Sequence, residues 1–90
     1  MTSENIDWSQ LSTAHARAEL LLKPLKDAEA VWQTAEMAFI ANQLTALEDQ
    51  DPDALSGTDR QWRDYRIQVR KWLEDAEGFP AAESRPHRPV

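Results

Sequence analysis

Cysteine is absent from this chain of 90 residues, which excludes a disulfide framework and a thiolate zinc site and gives no support to a secretory route. Glycine occurs only twice, at Gly57 and Gly78, and β-branched residues are scattered. With Ala, Leu, Glu, Gln and Arg dominant, intrinsic propensity favours helix. No apolar run comes near the roughly 20 residues that a membrane span needs. The opening MTSENIDWSQ is polar and acidic, without the basic start and apolar stretch of a signal peptide. A soluble, intracellular protein is the expectation. Basic residues are outnumbered, 10 against 16 acidic ones, for a formal charge of −6 and a pI near 4.7. That balance favours solubility and repels polyphosphate at long range, so nucleic acid is not expected as a partner.

What is present is an aromatic supply generous for the length: four Trp, two Phe and one Tyr. Ninety residues suffice for one domain, which buries only about 60–65% of its unfolded surface. The margin of stability is expected to be thin. The capping signals and apolar spacing predict an all-α fold of three helices, near residues 8–23, 25–50 and 58–77. Asp7 and Gln10 form a capping box for the first, with Ile6 stapled on Leu11. Leu11, Ala14, His15, Ala18, Leu21, Leu22 and Leu25 then share one stripe. Pro24 withholds a backbone donor from the carbonyl of Leu20 and disfavours helical dihedrals at Lys23. A break or a kink is expected there, so the first two helices are either separate or one long bent rod. Beyond it, Leu25, Ala28, Trp32, Ala35 and Phe39 make one apolar line, and Met37, Ile40, Leu44 and Leu47 a second.

Residues 48–59, EDQDPDALSGTD, read as a linker in which Asp51-Pro52 stops the second helix and Asp51 caps a turn. Thr58 and Gln61 make a second capping box. Trp62, Tyr65, Val69, Trp72, Leu73 and Ala76 follow at a 3.6-residue period. These rings are expected to pack on Trp32, Phe39, Ile40 and Leu44. Gly78 suits the left-handed residue after a helix, with Phe79 folding back onto Leu73 and Pro80 preventing continuation. Residues 1–80 are thus expected to be a single helical domain and residues 81–90 an extended or disordered tail bearing prolines.

The stretch GTDRQWRDYRIQVRKW places five basic and three large aromatic side chains in sixteen residues. A basic row of Arg63, Arg66 and Arg70 beside aromatics could serve a small DNA-binding regulator. Asp59–Arg63, Arg60–Asp64, Arg70–Glu74 and Lys71–Asp75 are each four apart, however, the spacing of ordinary surface pairs. Arg66 alone lacks such a neighbour and is the residue to watch. An acidic mimic of nucleic acid is a third, weaker idea. His15 and His87 are isolated, so no metal site is expected. No phosphate loop, nucleophile elbow or convergent carboxylate pair appears, and neither an enzyme nor a cofactor is expected.

Trp62, Arg63, Tyr65, Arg66 and Arg70, followed by Phe79 and Pro80, resemble the C-terminal segment of phage tail assembly chaperones, also called tail fibre assembly-like proteins. The similarity extends over about residues 57–90, and Trp32 and Glu36 of VWQTAE look like the preceding helix of some members. Val69 stands where many members have Leu, and Arg85-Pro86 where many have an aromatic. The resemblance implies a non-enzymatic protein in the host bacterial cytoplasm that holds a tail fibre or tape-measure component until assembly. It also implies that those seven residues face the partner. If Pro24 only kinks the first two helices, the rod would be roughly 60 Å at about 1.5 Å per residue, which favours a homodimer that buries the uncovered stripe.

Overall fold

The computed structural model describes the backbone of residues 2–89 and the side chains of residues 16–89. The proposed cap and staple at Ile6, Asp7, Gln10 and Leu11, and the side chains of Trp8 and His15, lie outside those described. Two α-helices form rather than three: α1, Thr2–Glu48, and α2, Asp59–Arg70, with a 3-10 turn at Ala82–Ser84. No strand occurs among the described residues.

α1 runs through Pro24 without interruption, so of the two expected alternatives the single long helix is found, and the division into helices at 8–23 and 25–50 is corrected. The missing donor and the ring clash cost about 3 kcal/mol in a helix interior. Residues 16–25 are all exposed, so water can reach the carbonyl that Pro24 leaves without a helical donor. The result is a rod, and the molecule extends 73 × 18 × 16 Å.

α1 ends where the sequence turns polar. Gln50 takes a positive φ of 56°, and Asp51 accepts from the backbone N–H of Asp53 at 2.8 Å, the local turn expected of an Asp before Pro. Gln43 holds this linker from α1. Its Nε2 donates to the Leu55 carbonyl at 2.8 Å, and its Oε1 accepts from the Leu55 N–H at 3.1 Å.

α2 begins at the capping box read from the sequence: the Gln61 N–H donates to Thr58 Oγ1 at 3.1 Å, and the Thr58 N–H donates to Gln61 Oε1 at 2.8 Å. It lies antiparallel to α1 and lays Trp62, Tyr65 and Val69 on Ile40 and Leu44, with Trp32, Met37, Phe39 and Leu47 partly buried around them. Trp62 packs its ring against Phe39 and Tyr65, and its indole N–H donates to the Ser56 carbonyl at 2.9 Å. The polar end of the largest core residue is therefore satisfied.

α2 stops at Arg70, seven residues short of the expected Glu77. Gln33 on α1 caps this end: its Nε2 donates to the carbonyls of Val69 at 2.8 Å, Trp72 at 3.2 Å and Arg70 at 3.4 Å. The Val69 carbonyl also accepts from the Trp72 N–H at 3.1 Å, so backbone and side-chain donors share the end of the helix. Trp72 leaves the helical path yet stays buried, whereas Leu73 is 56% exposed and does not join the core. Phe79 rests edge-on against Trp72, centroids 5.2 Å apart. Gly78 does have a positive φ of 83°, in a turn well beyond the helix. Residues 81–89 then run back up α1, parallel to it.

Candidate functional site

Two neighbouring stretches of α1 carry the features of interest. The first begins with a repeat: Glu29 and Trp32, then Glu36 and Phe39, an acid and an aromatic three positions apart on one helix face, restated after seven residues. The two carboxylates are buried, which is costly unless each is paired and hydrogen-bonded.

Both are paired in the same way. Glu29 Oε1 accepts from the Trp72 indole at 2.9 Å and from Arg85 Nε at 2.7 Å, and its Oε2 accepts from Arg85 Nη2 at 2.6 Å. Glu36 Oε2 accepts from the Tyr65 hydroxyl at 2.6 Å and from Arg88 Nε at 2.7 Å, and its Oε1 accepts from Arg88 Nη2 at 2.9 Å. Each arginine thus makes a two-pronged contact, the stronger kind of charge-assisted hydrogen bond. Each also lies over the aromatic of its own repeat, Arg85 Cζ 4.9 Å from the Trp32 centroid and Arg88 Cζ 3.9 Å from that of Phe39. The ring face attracts the cation in addition to the carboxylate.

The electrostatics follow from these contacts. The guanidinium of Arg85, helped by the Trp72 indole and opposed by burial, holds the Glu29 carboxyl below its usual range. Arg88 and Tyr65 do the same for Glu36. Burial, then the hydrogen bond to Glu36, pushes the Tyr65 phenol up. All three groups move away from neutrality, the opposite of what general acid–base catalysis near pH 7 needs. Among the described residues no group of three or more His, Cys, Asp or Glu side chains could hold a metal ion.

The expected partner-facing residues separate into two sets. Trp62 and Tyr65 are core, and Phe79 and Pro80 are half-buried in the turn that carries the tail. Arg63 bonds Asp59 at 2.6 Å and Arg60 bonds Asp64 at 2.8 Å, both on the solvent side. Because α2 ends at Arg70, the expected Arg70–Glu74 and Lys71–Asp75 pairs are not among the ion pairs of the described residues, and Glu74 reaches Lys26 on α1 at 2.8 Å. Arg66 is half-buried, and its Nε is buried with no hydrogen-bond partner. The arginines that organise the structure are Arg85 and Arg88, in the tail. A signal for them was present: Arg-Pro repeated after three residues, opposite an acid–aromatic pair repeated after seven.

The second stretch is the continuation of that same face toward the N-terminus. At 100° per residue, Ala18, Leu22 and Leu25 project within about 60° of Glu29, Glu36 and Ile40. The extension of α2 meets α1 at Lys26, through its ion pair with Glu74. Leu21 is 67% exposed and Leu25 51% exposed, with Ala18 and Leu22 exposed beside them. No helix of the described residues is long and apolar enough to cross a membrane.

In comparison with known proteins, no family model, no curated protein and no solved structure matches this chain.

Proposed function

We propose that this chain is a tail assembly chaperone of a phage or prophage, a non-enzymatic binding protein of the host bacterial cytoplasm. In this role it lays a helical segment of a tail fibre or tape-measure protein along α1 at residues 18–25. The observation that carries the proposal is the exposed apolar stripe of α1 at Ala18, Leu21, Leu22 and Leu25, on the N-terminal side of Glu29 on the face that α2 covers further along. A helix with an open stripe of Ala18, Leu21, Leu22 and Leu25 suits recognition by i, i+3, i+4, i+7 anchors. The acidic excess keeps such a complex dispersed. The resemblance of Trp62–Arg70 and Phe79-Pro80 to the chaperone family supports the same role through the scaffold those residues build, since Trp62 and Tyr65 stand inside it.

Against the DNA-binding alternative, Arg63 is occupied by Asp59 and the chain carries a net charge of −6. Co-expression with tail fibre and tape-measure proteins encoded nearby is the test. Co-purification that is lost in Leu21→Ser/Leu25→Ser is the expected result, and no association with either class of protein overturns the proposal. Pairing of two copies through the same stripe is the competing occupancy, separated by the molecular mass of the chain alone as concentration rises.

A further inference from the structure

The tail-binding groove is built as a ligand site, and its occupant happens to belong to the same chain. We infer that the groove formed by Glu29, Trp32, Glu36 and Phe39, with Tyr65 and Trp72 behind, recognises an extended Arg-Pro-x-Arg-Pro segment. We further infer that the tail of a second copy can supply that segment in place of the resident one.

Spacing is the first support. Seven residues of helix separate Glu29 from Glu36, about 10.5 Å of rise, and three residues of polyproline II separate Arg85 from Arg88, about 9.3 Å. Arg85 has φ −58° and ψ 147°, close to that conformation. Pro86 and Pro89 each bias the arginine before them toward it. A segment so stiffened loses little freedom on docking, the feature that suits proline-rich ligands to aromatic grooves.

The tail is also peripheral to the core. No described residue beyond Trp72 is buried, and the core cluster comes from α1 and α2 alone. The side chains of Arg85 and Arg88 remain 30% and 40% exposed while the carboxylates they grip are buried. Their contacts are directional ion pairs and ring contacts, which a tail from another copy reproduces atom for atom. Reciprocal exchange of two tails closes a symmetric dimer. A short tether holds the resident tail at an effective concentration on the order of millimolar. Dilute copies therefore close on themselves, and copies gathered to a comparable local concentration exchange.

Complementation tests this with full chains. Arg85→Ala/Arg88→Ala keeps the groove and loses the ligand; Glu29→Gln/Glu36→Gln keeps the ligand and loses the groove. Mixed, they are expected to sediment as a 1:1 complex that high salt dissociates, while each alone stays at its own mass. A synthetic peptide of residues 81–90 is expected to bind the arginine-lacking variant, and to bind it about tenfold or more weakly when both its arginines are replaced by Gln. Should the double variant lose its helical circular dichroism, Arg88→Ala alone takes its place. Absence of both the mixed complex and peptide binding in a variant that stays helical overturns the inference. So does loss of helix in the single variant, because the tail would then be part of the folding core.

Discussion

Tyr65 and Arg88 converge on one atom: the phenol donates to Glu36 Oε2 at 2.6 Å, and Arg88 Nε donates to the same oxygen at 2.7 Å. One comes from α2 and the other from the tail, so a single carboxylate on α1 ties three segments. Tyr65→Phe removes the only neutral donor of the set and should cost about 1–2 kcal/mol. Combined with Arg88→Ala, the two losses should fail to add by about 0.5 kcal/mol or more. Urea unfolding of the four proteins of the cycle measures the coupling, and strict additivity would contradict the shared contact.

Acid should loosen the tail before it melts the helices. The folded carboxyls of Glu29 and Glu36 lie below the usual 4.5, so the unfolded chain takes up protons first as pH falls. Their stabilisation is complete above about pH 4.5 and disappears as pH drops through the folded values. Urea midpoints should therefore fall steeply below pH 4.5, and the slope should flatten in Glu29→Gln/Glu36→Gln. At the alkaline end the sign reverses for Tyr65. Its folded phenol titrates above the usual 10.0, so its contribution is intact below pH 10 and is lost as pH climbs toward the folded value.

Val69 and Leu73 are both apolar and four positions apart, yet only Val69 is enclosed, at 0% exposure. Val69→Ala should cost about 1–2 kcal/mol through lost contacts and a small cavity, whereas Leu73→Ala should stay within about 0.5 kcal/mol. Equal losses in thermal or urea unfolding would mean that α2 continues past Arg70 with Leu73 turned inward.

Gly57 occupies a backbone conformation, φ 107°, that L side chains rarely adopt, and a Cβ there would stand 2.7 Å from Trp62 Nε1. Gly57→Ala should destabilise by more than about 1 kcal/mol. It should also shift Trp62 emission, because the indole must give up its bond to Ser56. An unchanged unfolding midpoint and spectrum would count against the tight linker turn.

The amino-acid sequence by itself determined the helical class, the linker after Glu48, the start of α2 at Thr58 and the inward row Trp62, Tyr65 and Val69. Each of these depends on groups within a turn or two of one another: a hydroxyl and an N–H three residues apart, or side chains on one stripe. Tertiary structure decided the rest. Pro24 sits inside α1 on a stretch exposed to water, and local propensity could not say whether the rod would continue. α2 ends at Arg70, where Gln33, 36 positions earlier than Val69, donates to the carbonyls of the last turn and of Trp72. Continued periodicity through Leu73 and Ala76 pointed elsewhere. Residues 81–89 have almost nothing apolar to bury, and taken alone they resemble a loose tail. Their place on α1 comes from two carboxylates more than fifty positions away. Pairing at such separation depends on the tertiary arrangement, in which α1 spaces the two carboxylates and Trp72 and Tyr65 pack beside them.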